Sequence, residues 1–299
     1  MAWDFFGGSQ ENQNPYKYDL TDWKKVDENL ISHSEIQQIP VDIEVLRAIA
    51  LDLNDRIYVT GKDQLLIYSK EGLLLKEIPT KIQAFCLFIS KDEKLYMGTR
   101  KEIVVFNLEG QILDTIQPQI EQLLLTSLVV SDQYLYLADA GNKILHQCDL
   151  SGNLIKEIGA KDQDKGILGF VIPSPYFDLA IGRNENIWAA NTGRHRLESY
   201  DKKGRLIYSW NKSSMGLDGF SGCCNPSHFA FLSNGNFVTS EKGIERIKIH
   251  SPDGKFLSVV APPSAFERGT KGIDIAVDSE DKIFTTDPQK SMIRIFAPK

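Results

Sequence analysis

Six times along this chain the same pattern returns: an apolar strand, a polar turn, a second apolar strand, a polar gap, a third strand, then a turn ending in glycine. One unit, residues 47–78, reads RAIALDLNDRIYVTGKDQLLIYSKEGLLLKEI; the last, residues 272–296, reads GIDIAVDSEDKIFTTDPQKSMIRIF and stops after three strands. Self-similarity at such a period means that each unit is one supersecondary element whose neighbours complete its core. Gly72, Gly110, Gly152, Gly204 and Gly254 sit between third and fourth strands. Their spacing widens from about 40 residues to about 50 beyond Gly152, so the later units carry insertions. Glu71-Gly72, Ser151-Gly152 and Asp253-Gly254 suit tight hairpins, where some positions need positive φ. The strands are rich in Ile, Val, Leu, Tyr and Phe, and proline is almost confined to the gaps.

This organisation predicts an all-β fold, a six-bladed β-propeller over residues 30–299 with an N-terminal extension over residues 1–29. The sixth unit lacks a fourth strand, and an orphan strand, LISHSEIQQIPV over residues 30–41, precedes the first. Pairing the two closes the ring and removes an open sheet edge. A formal net charge of −6 and the lack of a Lys/Arg stripe exclude a nonspecific nucleic-acid binder. No apolar run approaches the roughly 20 residues of a membrane span. The first fifteen residues have neither a basic nor an apolar signal region, which predicts a cytoplasmic monomer or, if a leader has been removed, an exported or periplasmic one. Residues 1–29 carry Trp3, Phe5, Phe6, Tyr16, Tyr18 and Trp23, too aromatic for a purely solvated tail.

The unit at 272–296, and FDLAIGRNENIWAANTGRHRLESYDKKG at 177–204, resemble NHL repeats of six-bladed β-propellers. The segment FSGCCNPSHFAFLSNGNFVTSEKGIER at 220–246 is similar to a bacterial NHL-like subgroup with a Cys-Cys-Asn-Pro stretch. The resemblance implies the fold; it does not choose among the peptide-amidating lyases and interaction scaffolds of such propellers, or the lactonases of related rings. The Glu/Asn/Asn/Asp calcium set of the lactonases is not recognisable at matched positions, nor do the five histidines reproduce a lyase zinc set.

In a propeller, the loops joining successive blades share a face with the loops joining strands two and three. The two long insertions, residues 160–176 and 211–227, are of the first kind and flank blade four, so this face is where a site is expected. Arg194 and His195, in the strand-two-to-three turn of blade four, have no counterpart in the other repeats and suit an anion. Tyr176 follows Pro173-Ser174-Pro175 as an aromatic wall. Cys223 and Cys224 lie in the second insertion. They fit a strained vicinal disulfide, a metal-binding thiolate pair or two small semi-buried side chains, and all three readings stand. With Lys242 in the corresponding turn of blade five, Tyr176, Arg194, His195, Cys223 and Cys224 are the candidate ligand-binding set.

Aligned on their second strands, the repeats place His228 level with Asp178, Asp274, Thr126, Cys86 and Ala48 where the inner strands begin. Asp178, His228 and Asp274 are the candidate metal set, oxygen ligands suiting calcium and an imidazole suiting zinc. The alternative is that these polar groups bridge neighbouring inner strands by hydrogen bonds. No G-x-S-x-G, G-x-G-x-x-G, P-loop or H-E-x-x-H pattern occurs. Two functions follow: a propeller that binds a small anionic ligand or a protein partner through the face around blades four and five, or a metal-dependent hydrolase or lyase. A redox role for the cysteine pair is a variant.

Overall fold

The computed structural model describes residues 19–164 and 167–299. The described chain forms six antiparallel sheets arranged as blades. Blade four illustrates the unit, with Leu179–Ile181 innermost, then Ile187–Asn191, Arg196–Tyr200 and Leu206–Asn211 outermost. In blade one the strand Ile57–Tyr68 pairs with the inner strand through its first half and with the outer strand through its second, Asp63 at a φ of 63° marking a register shift in the outer pairing. Six hydrophobic clusters fill the six interfaces between neighbouring blades; that between blades four and five joins Leu197 and Trp210 to Phe229 and Phe237. The continuous burial of the middle strands, such as Leu135–Asp139 and Phe237–Glu241, follows from this, because each blade faces a neighbour on both sides.

The turn between third and fourth strands is built the same way in five blades. Ser69, Asn107, Asp149, Asp201 and Ser251 each sit three residues before the glycine and accept backbone N–H groups from the turn. Gly254, at a φ of 84°, lies so close to the indole of Trp210 that a Cβ would fall 2.5 Å from it. The repeat glycines therefore serve blade packing as well as the turn.

The ring closes through the N-terminal strand, which pairs antiparallel with the last one, His33 opposite Pro298 and Pro40 opposite Met292. It spans His33–Pro40 rather than starting at Leu30, because Glu28–Leu30 form a 3-10 turn in which Asp27 accepts the N–H of Asn29. A buried charge cluster locks the pairing. Arg294, 2% exposed, holds both oxygens of Glu35 at 2.7 Å, donates to the carbonyl of Ala265 and lies over the rings of Phe266 and Phe296. Of the N-terminal extension, residues 1–18 lie outside the described residues; Lys24 pairs with Glu245 of blade five at 3.0 Å. No helix among the described residues is long and apolar enough to cross a membrane.

Deletion of residues 30–41 is expected to lower the melting temperature of the whole domain, and Arg294→Ala to cost about 3–5 kcal/mol by leaving Glu35 and Asp287 without their cation. Thermal unfolding measures both, and an unchanged Tm in the deletion would contradict the closure.

Candidate functional site

The inner strands begin at one end of a central channel of about 330 Å³, lined there by Cys86, Thr126, Asp178, His228 and Asp274. The sixth aligned position, Ala48, is buried between blades one and two. Below the ring the lining turns apolar, with Leu51, Phe88, Ile181 and Phe231. The acidic members bridge blades: Asp178 accepts from the Ser127 hydroxyl at 2.8 Å and the Phe229 N–H at 3.0 Å, and Asp274 from the N–H groups of Ile49 and Ile275 at 2.9 Å. His228 Nδ1 lies 3.4 Å from Asp274 and 3.7 Å from Asp178.

Burial alone would lower the His228 pKa, but the two carboxylates more than offset it and hold it above the ordinary histidine value. Burial pushes Asp274 up to about 6, against the pull of His228 and with the like charge of Asp178 adding to the rise. Among the described residues no three His, Cys, Asp or Glu side chains are placed to hold a metal ion. Each oxygen of Asp178 and Asp274 already accepts one hydrogen bond, which is the strand-bridging role expected of polar groups at this level.

Both insertions are fastened to the blades beneath them. Arg194 donates to the carbonyls of Gly169 at 3.1 Å and Leu168 at 3.0 Å, and Asn191 accepts from the Val171 N–H at 2.9 Å. A Cβ on Gly193 would sit 2.6 Å from the Val171 carbonyl, which explains a glycine there. His195, left-handed at a φ of 51°, bonds Ser213 Oγ at 2.8 Å and the carbonyl of Gly222. Arg246 and Lys248, both buried against Glu241, reach the carbonyls of Gly216 and Leu217. Irregular backbone at this depth leaves carbonyls without sheet partners, and these cations supply the missing donors.

The two insertions meet at the cysteine pair. Ser174 of the first donates to Cys224 Sγ of the second at 2.7 Å, and the unbonded sulfurs of Cys223 and Cys224 stand 3.1 Å apart. Cys224 is buried and Cys223 exposed. Lys242 Nζ is 3.4 Å from Ser174 Oγ and 4.8 Å above the Tyr176 ring, whose edge meets His228 at 6.1 Å. Across the mouth, Arg47 and Arg100 both lie over the Phe85 ring, at 4.5 and 5.1 Å. Burial and then the like charge of Arg100 lower the Arg47 pKa, opposed by the Tyr176 hydroxyl.

Of the predicted set, Tyr176, Cys223, Cys224 and Lys242 come together at the mouth. Arg194 and His195 hold the insertions to blade four instead of standing free. Arg47, Phe85 and Arg100 are additional mouth residues. Arg47 and Phe85 each directly precede an aligned inner-strand position, a placement in the repeat that could have drawn attention to them.

No protein-family model matches this chain, and no curated protein matches it significantly. Among solved structures it is similar to a streptogramin B lyase, with a TM-score of 0.63 at 10% identity over 91% of this chain and 100% of that one. A virginiamycin B lyase from Staphylococcus aureus gives 0.60 at 11% over 89% and 100%. A protein of unknown function from Bacteroides caccae gives 0.60 at 13% over 77% and 86%. At such identities the likeness establishes the six-bladed propeller fold alone.

Two results are expected. Arg194→Ala should speed cleavage within residues 160–176 in limited proteolysis; an unaltered digestion pattern would deny that Arg194 fastens the loop. Charged His228 contributes stability that is complete below the unfolded-state value of about 6.5 and is lost as pH rises through its higher folded value. NMR titration should place the His228 midpoint above that of free histidine and show it falling in Asp274→Asn; a midpoint at or below the free value would contradict the assignment.

Proposed function

We propose that this chain is a noncatalytic, NHL-type binding propeller whose ligand is a small anion seated at the channel mouth, between Arg47, Arg100 and Lys242 and against Tyr176. The observation that carries this reading is the state of Arg47. Its Nε is buried without a hydrogen-bond partner, it stands beside the like charge of Arg100, and it has no ion pair among the described residues. A guanidinium so placed lacks a counter-charge, and a carboxylate or phosphate meeting its terminal nitrogens would supply one bidentately. That cations gather here in a chain of net charge −6 adds support, because the overall balance runs the other way.

The surroundings suit binding. Phe85 stiffens both guanidinium groups by stacking, and the fastened insertions keep Tyr176 and Lys242 in place before a ligand arrives, which reduces the ordering cost of binding.

Calorimetric titration with inorganic phosphate, succinate and citrate tests the reading. At least one should bind with an affinity that falls as salt rises, and Arg47→Ala should weaken it about tenfold or more. Binding by none of them, or binding indifferent to Arg47→Ala, would overturn the proposal.

A further inference from the structure

The Cys223-Cys224 pair carries more organisation than a binding wall requires. The two sulfurs are unlike in every respect that governs thiol chemistry. Cys223 faces solvent, whereas Cys224 is buried and receives the Ser174 hydroxyl at 2.7 Å with Cys223 Sγ at 3.1 Å. Lys242 stands behind Ser174. Burial alone would push the Cys224 thiol up, but Ser174, Cys223 and the charge of Lys242 more than offset it, and it lies below the ordinary thiol value. The Cys223 thiol is pushed up, first by its hydrogen bond with Cys224 and then by burial. Of the two, the buried Cys224 is therefore the thiol that yields its proton more readily, with the exposed Cys223 beside it. Cys86 and Cys148, by contrast, are buried in strands, and burial raises both thiols.

We propose that Cys223 and Cys224 form a redox-responsive site that takes a small organic disulfide as its oxidant, with Cys223 the point of attack and Cys224 the resolving sulfur, and that its closure frees Lys242 for the anionic ligand. Cys223 passes its proton to Cys224 and attacks one sulfur of the reagent. The reagent's S–S bond breaks, a Cys223 mixed disulfide forms, and the departing thiolate takes the proton from Cys224. Cys224 then attacks Cys223 Sγ, forms the Cys223–Cys224 bond and expels the second half, which is protonated by solvent. The organic disulfide has been reduced to two thiols and the pair oxidised by two electrons.

Adjacent Cα atoms about 3.8 Å apart lie below the usual disulfide range, so the closed pair is strained and readily reopened by thiols, as a reversible device requires. Closure also removes the one acidic thiol on the Lys242 side of the pair. In the reduced pair Ser174 links Lys242 to a Cys224 sulfur that can ionise and balance the ammonium; in the closed pair that sulfur carries no charge and the ammonium faces Tyr176 and the mouth. This coupling rests on the anion-binding reading above, whereas the thiol chemistry does not.

The test treats the reduced full chain with 2-hydroxyethyl disulfide and reads intact mass and a peptide map. Wild type should lose two hydrogens with no retained adduct, the new bond mapping between Cys223 and Cys224. Cys224→Ser should keep half the reagent on Cys223, and Cys223→Ser should stay unmodified. A lasting adduct or no reaction in wild type, or reaction of Cys223→Ser at the wild-type rate, would overturn the site. In a second arm, the closed form should bind inorganic phosphate about fivefold more tightly than the reduced form, with the difference absent in Lys242→Ala. Equal affinities would overturn the coupling. Failure of both forms to bind phosphate would remove the coupling and speak against anion binding, while the mass result would still decide the thiol chemistry.

Discussion

Closure of the ring is the constraint from which everything else follows. A six-bladed sheet array left open would expose one strand edge and leave the inner strands free to splay; pairing His33–Pro40 onto Met292–Pro298 removes that edge and sets the circumference. The pairing is held where a slip would be most damaging, by Arg294 gripping Glu35 beneath two aromatic rings. With the circumference set, Asp274 of the last blade reaches the Ile49 N–H of the first, and Asp178 joins blades three and five. The polar ring in the channel is a consequence of closure and also a second lock on it.

The mouth above that ring is assembled from four blades, and none of them could form it alone. Blades one and two supply Arg47, Phe85 and Arg100 from the short edges of their strands. The loops flanking blade four supply Tyr176 and the cysteine pair, and blade five supplies Lys242. Two long irregular segments can hold side chains in register only if their backbone groups are met. Arg194, His195, Arg246 and Lys248 meet them, burial pushing the last of these down to about 8 despite its contact with Glu241. A scaffold of side-chain hydrogen bonds beneath the loops thereby presents a separate set of cations above them.

The blades and the closing strand are legible in the repeat, because strand periodicity and turn glycines are local properties. The start of the closing strand was misplaced since a capped 3-10 turn at Glu28–Leu30 leaves little trace in an apolar pattern. Alignment brought Asp178, His228 and Asp274 to one level; it could not tell that two of them accept backbone N–H groups from neighbouring blades, which depends on distances across the ring. The uniqueness of Arg194 and His195 among the repeats was visible, but not their direction. They turn toward the loop backbone, whose carbonyls lack sheet partners. Arg47 and Arg100 stand at strand ends beside short turns, where the sequence pattern gives no sign that both side chains lie over one ring.

The central claim is that an anion belongs at the mouth, and location tests it most directly. Crystals of the full chain soaked in selenate, an anion visible by anomalous scattering, should show a peak within hydrogen-bonding reach of Arg47 and on the Tyr176 and Lys242 side of the mouth. Selenate bound elsewhere on the surface with no peak at Arg47 would contradict the account.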